Sequence, residues 1–333
     1  MRVLVTGAAG FIGSHLLHRL QRMGVSVHGI DNFSSYYSTE YKKLRLKSLK
    51  LEISKDLTVC DISNYSELQR VVSSFKPSFI IHLAAQAGVR LNLKESDAYI
   101  LANIQGFQNV IRASVEYHLD GVLYASSSSV YGDTSPTPYR EKSVTLRPKS
   151  IYGATKLSNE LFAEIYAKTC ALRLRGLRLF TVYGPWGRPD MAYFRIAAAA
   201  LGQEQFTLFG DGSIKRDFTY IDDVVNSIVA LFQDLTNREE QFNDFVNIGG
   251  GRPLEMNYLI DLISRMGDLP LVIKKSDESK LDSRVTMADN TYLQSIIGML
   301  EFTGLEQGVE NLMNWAREEK IKRNLSGWIR STF

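Results

Sequence analysis

The sequence predicts an α/β fold in which helices cover both faces of a doubly wound parallel sheet. Short β-branched runs alternate with longer segments that carry apolar residues at i, i+3 and i+4 spacing. Several of the short runs are apolar on both faces, as the strands of a covered parallel sheet must be. Strands and helices that alternate in this way are typical of βαβ units, and the alternation fades after about Tyr183. We therefore expect a smaller C-terminal substrate-binding region beyond that point.

The predicted elements follow one another along the chain without an internal repeat. The predicted strands are Val3 to Thr6, Val25 to Ile30, Leu57 to Cys60, Phe79 to Leu83 and Gly121 to Ser126. The helices between them are Ile12 to Met23, Tyr65 to Phe75 and Asp97 to Tyr117. A loop rich in Gly and Pro at residues 184–189 then precedes an Ala-rich helix from Ala192 to Leu201. Asp222 to Leu231 again resembles a helix packed on the sheet, so some C-terminal segments are expected to return to the first domain.

Composition and charge exclude several classes of function. The 333 residues are 44% apolar, and 39 Lys and Arg against 36 Asp and Glu leave a net charge of only +3. Because these charges are not collected in a block, nucleic acid is not the expected partner. The apolar stretches fall short of the ~18 to 20 residues that span a bilayer, so no membrane span is expected. No export signal is visible, and two separate cysteines, Cys60 and Cys170, favour a cytoplasmic location and no metal site.

The first predicted strand runs into a glycine-rich segment, Thr6 to Gly13, that opens a helix. Glycines at positions 7, 10 and 13 allow a tight turn, a close approach of the backbone to a pyrophosphate and close helix-sheet packing. The next strand is followed by Asp31, whose carboxylate suits two ribose hydroxyls and repels a 2'-phosphate. We therefore predict NAD rather than NADP as the cofactor. Asp61 follows the third strand, where it is placed to meet the adenine amino group, although it also suits a plain turn.

A second group of reactive side chains follows the fifth strand. Ser127 lies in a run of four serines, and Tyr152 and Lys156 are spaced i, i+4, so they share one face of a helix. A phenol with a pKa of ~10 is a poor base at neutral pH, but a nearby ammonium and an oxidised nicotinamide both favour its phenolate. Tyr152 is therefore predicted to accept a proton during catalysis.

With these segments the sequence resembles the extended short-chain dehydrogenase/reductase family, and within it the NAD-dependent sugar-nucleotide epimerases and dehydratases. The resemblance covers nearly the whole chain and rests on residues 6–13, 31–32, 82–86, 103, 127–132, 152–156 and 216–223. It implies a Rossmann fold, a tightly held NAD that is not consumed, and a homodimer built on two helices. It also implies that residues 1–183 form mainly the NAD-binding domain and residues 184–333 mainly the sugar-nucleotide-binding region.

The same resemblance implies roles for individual residues. Ser127 is expected to hydrogen-bond the sugar 4-hydroxyl, Tyr152 to remove its proton, and Lys156 to orient the ribose and lower the pKa of Tyr152. The residues expected to bind the cofactor are Gly7, Gly10, Phe11, Ile12, Gly13, Asp31, Asn32, Ser35, Asp61, Ile62, Leu83, Ala84, Ala85, Gln86, Asn103, Ser126, Tyr152 and Lys156. Those expected to bind the substrate are Gly88, Val89, Arg90, Ser127, Ser128, Ser129, Tyr152, Thr181, Arg188 and Arg216, the last through the diphosphate.

Two serines indicate which reaction of the family to expect. Ser128 and Ser129 stand where dehydratases and decarboxylases that resemble this chain carry acidic residues. Elimination requires a general acid and base beyond the tyrosine, and none is present there. We therefore expect 4-epimerisation, in which hydride passes from C4 to NAD, the 4-keto sugar rotates, and the hydride returns to the other face.

Three stretches resemble the UDP-glucuronate 4-epimerases more specifically: residues 31–37, 85–90 and, above all, 182–192. Arg188 has a planar fork of donors suited to a sugar carboxylate, and Ser128, Ser129 and Thr181 add neutral hydrogen-bonding groups. Thr181 stands where glucose-type epimerases tend to carry Asn. The loop at 279–289 departs from the family pattern, because Leu281 to Asp289 lacks the usual glycine of the diphosphate and uridine contacts.

The main hypothesis is therefore the interconversion of UDP-glucuronate and UDP-galacturonate. A second hypothesis is a 4-epimerase of a neutral UDP-hexose or UDP-N-acetylhexosamine, in which Arg188 has no carboxylate to bind. A third is a non-catalytic NAD-binding protein, which the intact Ser127, Tyr152 and Lys156 disfavour.

Overall fold

A parallel sheet forms the centre of the computed structural model, which describes residues 1–88, 96–133, 135–143, 145–202, 205–239, 241–277, 283–299 and 301–331. The strands are β1 Arg2–Thr6, β2 Ser26–Asp31, β3 Leu57–Val59, β4 Phe79–His82, β5 Gly121–Ser127, β6 Arg173–Leu179, β7 Thr181–Tyr183, β8 Phe206–Phe209, β9 Lys215–Tyr220, β10 Asn243–Ile248, β11 Pro253–Glu255 and β12 Ile273–Ser276. Within the described ranges, seven of them pair in the order β10-β6-β5-β4-β1-β2-β3, every pair parallel. The predicted doubly wound Rossmann sheet is confirmed.

Helices cover both faces of this sheet. They are α1 Phe11–Arg22, α2 Thr39–Ser48, α3 Tyr65–Phe75, α4 Ser96–Tyr99, α5 Gly106–Glu116, α6 Ile151–Thr169, α7 Ala192–Ala200, α8 Ile221–Thr236, α9 Met256–Arg265, α10 Thr291–Ile297, α11 Leu305–Arg317, α12 Glu319–Lys322 and α13 Leu325–Arg330. The helix predicted over Asp97 to Tyr117 is interrupted by a π-helical turn, Ile100–Gln105, which separates α4 from α5. π-helical turns of this kind are frequent at functional sites.

The side chains of β1 point alternately to the two faces of the sheet, where they join two separate hydrophobic clusters. Val3 and Val5 face a cluster that contains Leu16 of α1 and Val224 of α8, whereas Leu4 faces the opposite cluster with Val110 of α5. All are fully buried, as a sheet covered on both faces requires. The strand order reverses between β1 and β4, and ligands of such sheets bind in the crevice at the carboxyl ends of strands at this point.

Strand β6 carries two buried arginines that tie the second half of the chain to this sheet. Arg175 is fully buried and forms ion pairs with Asp244 of β10 (Nε to Oδ1, 2.7 Å) and Asp234 of α8 (Nη1 to Oδ2, 2.8 Å). Arg178 pairs with Glu160 of α6 at 2.7 Å. Buried charges need such partners, so α8 and β10 are fixed to the first domain although they follow residue 184 in the chain.

Smaller sheets complete the C-terminal region. Strand β9 pairs antiparallel with β11 and parallel with β7, and β12 pairs with β8. None of the helices in the described ranges is both long and apolar enough to cross a bilayer.

Candidate active site

The glycine-rich loop lies between β1 and α1, at the carboxyl edge of the sheet. Gly7 has a φ of +70°, and a Cβ there would lie 2.7 Å from the backbone nitrogen of Ala84. A Cβ on Gly13 would collide with the carbonyl oxygen of Gly7. Helix α1 begins without a side-chain cap at Gly10, so its first N–H groups have no intrahelical acceptor and suit a phosphate. This loop therefore fits the pyrophosphate of a dinucleotide, with Phe11 and Ile12 supplying N–H groups.

Two carboxylates lie at the ends of the neighbouring strands. Asp31 accepts hydrogen bonds from the Ala9 N–H (3.0 Å) and the Phe33 N–H (2.8 Å), so its side chain is fixed beside the glycine-rich loop. Asn32 donates to Asp61 at 3.0 Å. Burial raises the pKa of Asp61, but hydrogen bonds from Asn32 and Ser63 outweigh it and hold the pKa below its ordinary value. Asp31, Asn32 and Asp61 thus share one edge, with exposed Ser35 nearby in the chain.

The segment after β4 is held by Asn103 of the π-helical turn. Asn103 is 1% exposed, accepts from the Gln86 N–H at 2.8 Å and donates to the Thr155 hydroxyl at 3.0 Å. Its amide is therefore engaged by protein, and it positions Gln86 against α6. Leu83, Ala84 and Ala85 are partly buried beside the glycine loop, and Ala84 N–H donates to Thr6 Oγ1 at 3.1 Å.

Two further residues predicted to bind the cofactor are engaged in the core. Ser126 donates to Glu160 Oε1 at 2.5 Å and is 1% exposed. Ile62 is buried and packs against Gly106, where a Cβ would approach its Cδ1 to 2.6 Å. Their cofactor contacts stay predictions.

Ser127, Tyr152 and Lys156 converge at the carboxyl end of β5. Ser127 is the last residue of β5, and its hydroxyl accepts from the Ser129 N–H at 3.1 Å and hydrogen-bonds Tyr152. Helix α6 begins after Ser150, whose hydroxyl caps the Gly153 N–H at 3.1 Å. One turn after Tyr152, the Lys156 ammonium is 1% exposed and donates to the Ala125 carbonyl at 2.8 Å.

Burial perturbs both titratable groups of this trio. It raises the pKa of Tyr152, while the Arg188 charge and the Ser127 hydrogen bond act in the opposite direction. It lowers the pKa of Lys156 to about 8. The Arg188 charge thus favours the Tyr152 phenolate. The Lys156 ammonium donates to the Ala125 carbonyl and lies 5.8 Å from the Tyr152 ring centroid. The lowering of the Tyr152 pKa by Lys156 stays a prediction.

Arg188 lies in the loop that follows β7, and two of its three guanidinium nitrogens donate to Asp190. Its Nε and Nη2 donate to the two oxygens of Asp190 at 3.0 and 2.5 Å, and the Tyr36 hydroxyl donates to the same carboxylate at 3.2 Å. Within the described residues, its Nη1 makes no hydrogen bond. The pair therefore orients the guanidinium, and its Nη1 edge is free of hydrogen bonds to the residues that the structure describes.

The remaining predicted substrate residues come from several elements. Ser128 and Ser129 form a short 3₁₀ turn after β5, and Thr181 begins β7, all partly buried. Gly88 has a φ of +116°, and a Cβ there would lie 2.6 Å from the Tyr36 hydroxyl. Val89 and Arg90 lie outside the described residues.

Arg216 lies on β9, next to the segment that begins at Ser283. Its Nη1 donates to the Ser283 carbonyl at 2.6 Å, and the Lys215 N–H donates to the Arg284 carbonyl at 2.8 Å. Residues 283–289 therefore lie along β9, whereas Leu281 and Asp282 lie outside the described part of the chain.

Sequence reasoning missed three side chains that hold this site: Arg45, Tyr36 and Asp190. Tyr36 and Asp190 lie inside stretches that the family resemblance covers, but their contact joins positions far apart in sequence. Arg45 shares the face of α2 that carries Tyr41 and Leu46, at helical spacing. That periodicity was the available signal for a buried basic residue.

The fold and the site together define a class: a Rossmann-fold enzyme with a glycine-rich loop that fits a dinucleotide and with Ser127, Tyr152 and Lys156 brought together at the end of β5. Residues 3–249 match the family described as the NAD dependent epimerase/dehydratase family. The chain belongs to this family, and its cofactor is NAD.

Relatives in several organisms align along nearly the whole chain. Protein CapI of Staphylococcus aureus is 34% identical, covering 96% of this chain and 99% of its own. A UDP-glucuronate 4-epimerase of Thermodesulfobacterium geofontis is also 34% identical, covering 95% and 96%. The crystal structure of a UDP-glucuronic acid 4-epimerase from Bacillus cereus, in complex with UDP-glucuronic acid and NAD, superposes with a TM-score of 0.87. It is 32% identical, and the match covers 96% of this chain and 99% of that one.

Proposed function

We propose that this protein is a UDP-sugar 4-epimerase that interconverts UDP-glucuronate and UDP-galacturonate. The observation that carries the proposal is the position of the Arg188 guanidinium, which acts electrostatically on Tyr152 and keeps its Nη1 edge available. A cation beside the base that acts at C4 suits a sugar with a carboxylate on C5. The relatives named as UDP-glucuronate 4-epimerases support the same substrate.

The protein's own residues supply the acid-base chemistry. When bound, NAD supplies a hydride acceptor that later returns the hydride to the sugar. Ser127 hydrogen-bonds the sugar 4-hydroxyl, and Tyr152, as phenolate, removes its proton and gives it back at the end of the cycle. Lys156 holds the cofactor ribose, and its buried charge adds to the positive potential around the phenolate. Asp31 and the glycine-rich loop bind the adenosine ribose and the pyrophosphate.

The carboxylate must be held because the oxidised sugar is chemically fragile. A 4-keto uronate is a β-keto acid, which loses carbon dioxide when its carboxylate can align with the ketone. Arg188, oriented by Asp190, would fix the carboxylate through charge-assisted hydrogen bonds, with Ser128, Ser129 and Thr181 as neutral donors. Ser128 and Ser129 carry no carboxyl group, so these two positions offer no acid for elimination.

A neutral UDP-hexose is the second candidate, and the ion pair of Arg188 favours it. Asp190 already compensates the charge of Arg188, so a neutral sugar would leave no unpaired cation in the site. The two candidates therefore differ in what Arg188 binds through its Nη1 edge.

We further propose a homodimer, which an apolar patch on two adjacent helical segments supports. Leu101 of the π-helical turn and Leu161 and Ile165 of α6 are 54, 54 and 58% exposed. The two segments touch, because Asn103 of the π-helical turn donates to the Thr155 hydroxyl of α6 at 3.0 Å. Residues 1–183 would mainly bind NAD and residues 184–333 mainly the sugar nucleotide, in a protein of the cytoplasm whose two cysteines are free.

The deciding experiment compares purified wild-type protein with Arg188→Met on UDP-glucuronate and UDP-glucose. Charge-assisted bonds to a carboxylate contribute about 1.5 to 3 kcal/mol, so kcat/KM for UDP-glucuronate should fall about 10 to 150-fold. The value for UDP-glucose should change far less, and the variant should release more carbon dioxide and pentose per turnover. An unchanged preference for UDP-glucuronate would assign the site to a neutral sugar. Lasting accumulation of NADH by the wild-type protein would rule out an epimerase.

A further inference from the structure

Arg45 of α2 is a buried cation that the chemistry at C4 does not use. It is fully buried, and the shortest bonds of its guanidinium go to two backbone carbonyls, Ala9 (Nη1, 2.8 Å) and Trp186 (Nε, 2.9 Å). Two further bonds reach the Tyr37 hydroxyl at 3.0 Å and the Gly187 carbonyl at 3.5 Å. Trp186 and Ala9 are far apart in sequence, so a single side chain joins two distant loops.

The charge of Arg45 has no acidic partner among the residues that the structure describes. It lies over the rings of Tyr37 and Tyr41, at 5.6 and 4.8 Å from their centroids. A buried, unpaired charge is costly, and burial of an arginine usually includes a carboxylate. Backbone carbonyls and aromatic rings surround the guanidinium in place of a carboxylate. Arg45 therefore acts through directed hydrogen bonds to the backbone and not through an ion pair.

Each of the two carbonyls belongs to a loop of the active site. Ala9 lies between Gly7 and Gly10 in the loop that binds the pyrophosphate, and its N–H donates to Asp31. Trp186 precedes the carboxylate-binding Arg188 by two positions in the other loop. Arg45 therefore connects the loop expected to bind the cofactor with the loop of Arg188 through one side chain.

The second loop has a conformation that requires such support. Trp186 has a φ of +61°, in the left-handed region that a bulky side chain rarely adopts. Strain of this kind persists only where neighbours hold the backbone. Arg45 holds the Trp186 carbonyl, and Tyr41, one turn earlier on α2, donates to the Gly187 carbonyl at 2.7 Å.

We propose that Arg45 is a positioning residue that couples NAD binding to uronate binding. Order imposed on Ala9 by the cofactor fixes the guanidinium, which fixes Trp186 and so aims Arg188. Coupling of two binding sites is reciprocal, so each ligand should tighten the other by the same factor. The uronate half of this inference rests on the proposed function, whereas the coupling of NAD to the Trp186 loop does not.

Two measurements on nucleotide-free protein test the coupling. Titration calorimetry gives the Kd of UDP-glucuronate with and without saturating NAD, and hydrogen exchange reports on residues 184–191 with and without NAD alone. In the wild-type protein NAD should tighten UDP-glucuronate at least about 5-fold, the lower end of typical coupling, and protect the loop. Arg45→Met should still bind NAD but bring that ratio to within about 2-fold of one and abolish the protection.

Lys42→Met is the matched control. Lys42 lies on the same helix, is 5% exposed, and its ammonium lies 4.8 Å from the same Tyr37 ring centroid, but it donates to the Ser34 carbonyl. The Lys42→Met variant should therefore keep the coupling between NAD and UDP-glucuronate. Arg45→Lys keeps the charge but carries all its donors on one nitrogen, so it cannot reproduce the bonds that Nε and Nη1 make to two separate carbonyls. This variant should lose the coupling, and it serves if Arg45→Met does not fold.

The outcomes separate this inference from the proposed function. Full coupling in Arg45→Met or Arg45→Lys, or equal loss in Lys42→Met, would overturn the role of Arg45. Absence of UDP-glucuronate turnover by the wild-type protein would overturn the proposed substrate. The coupling would still be supported if NAD protected residues 184–191 from exchange in the wild-type protein but not in Arg45→Met.

Discussion

Burial and two neighbouring groups, Arg188 and Ser127, shift the pKa of a single phenol, Tyr152. Burial opposes its ionisation, whereas the Arg188 charge and the Ser127 hydrogen bond favour it. Lys156, with its pKa lowered to about 8, remains mostly charged near neutral pH. The balance among these groups, more than the tyrosine itself, decides whether the phenolate forms at the pH of the cell.

Replacement of Tyr152 by Phe tests the proton acceptor. Tyr152→Phe should bind NAD as the wild-type protein does, yet lose at least about 100-fold in kcat, because a positioned general base contributes this much or more. Steady-state kinetics and calorimetric titration of NAD measure the two quantities. Near-normal turnover would remove Tyr152 from this role.

At the residue scale, reactive side chains were predictable and their partners were not. Ser127, Tyr152 and Lys156 follow from local spacing on one strand end and one helix face. The pairing of Arg188 with Asp190, and the bonds of Arg45 to Ala9 and Trp186, depend on how distant loops meet. Nothing in the sequence pattern fixes those distances.

Helix α1 and the glycine-rich loop before it form the element expected to hold the cofactor pyrophosphate. Gly13→Ala would place a methyl group against the Gly7 carbonyl, so we expect destabilisation of about 1 to 3 kcal/mol and weakened NAD binding. Denaturant unfolding and NAD titration measure both effects. Gly327→Ala is the control, since that helical glycine has open space around it, and it should be neutral or slightly stabilising. Equal behaviour of the two variants would contradict the close approach.

Strand β9 carries Asp217, which fastens two loops. It is fully buried and accepts from the N–H groups of Ala288 (2.8 Å) and Gly251 (3.1 Å). Burial outweighs these bonds and raises its pKa to about 6. The folded protein thus binds this proton more tightly than the unfolded chain does, so the contribution of Asp217 to stability grows as pH falls from about 6 toward 3.8.

Asp217→Asn should remove that pH dependence. The difference in unfolding free energy, wild type minus variant, should increase by up to about 3 kcal/mol between pH 7 and pH 4. Urea denaturation at pH 7, 5.5 and 4 measures it, and parallel pH profiles would refute a titrating Asp217.

Among the elements, periodicity located the first five strands to within two residues at each end. It also predicted one helix over Asp97 to Tyr117, where the structure has a π-helical turn. Asn103 of this turn bonds both Gln86 and Thr155, and tertiary contacts of this kind leave no periodic signal. Helix α2 has a weak apolar pattern because its buried face includes Lys42 and Arg45.

For the whole molecule, the exposed patch on the π-helical turn and α6 predicts the assembly. Leu161→Glu combined with Ile165→Glu should convert a dimer into a monomer, because two charges cannot be buried without partners. Size-exclusion chromatography with light scattering measures the mass. Leu269→Glu combined with Val272→Glu, at side chains 55 and 60% exposed elsewhere, should leave the mass unchanged. A wild-type monomer would contradict the proposed assembly.

The position of β10 in the sheet has a consequence for synthesis of the chain. Strand β6 pairs on one side with β5 and on the other with β10, which the ribosome completes only at residue 248. Until then β6 is an open sheet edge, and such edges recruit other chains. Arg175 and Arg178 place two charged side chains on this edge strand, and such charges disfavour pairing with a strand of another chain. When β10 pairs with β6, Arg175 forms its ion pair with Asp244 of β10.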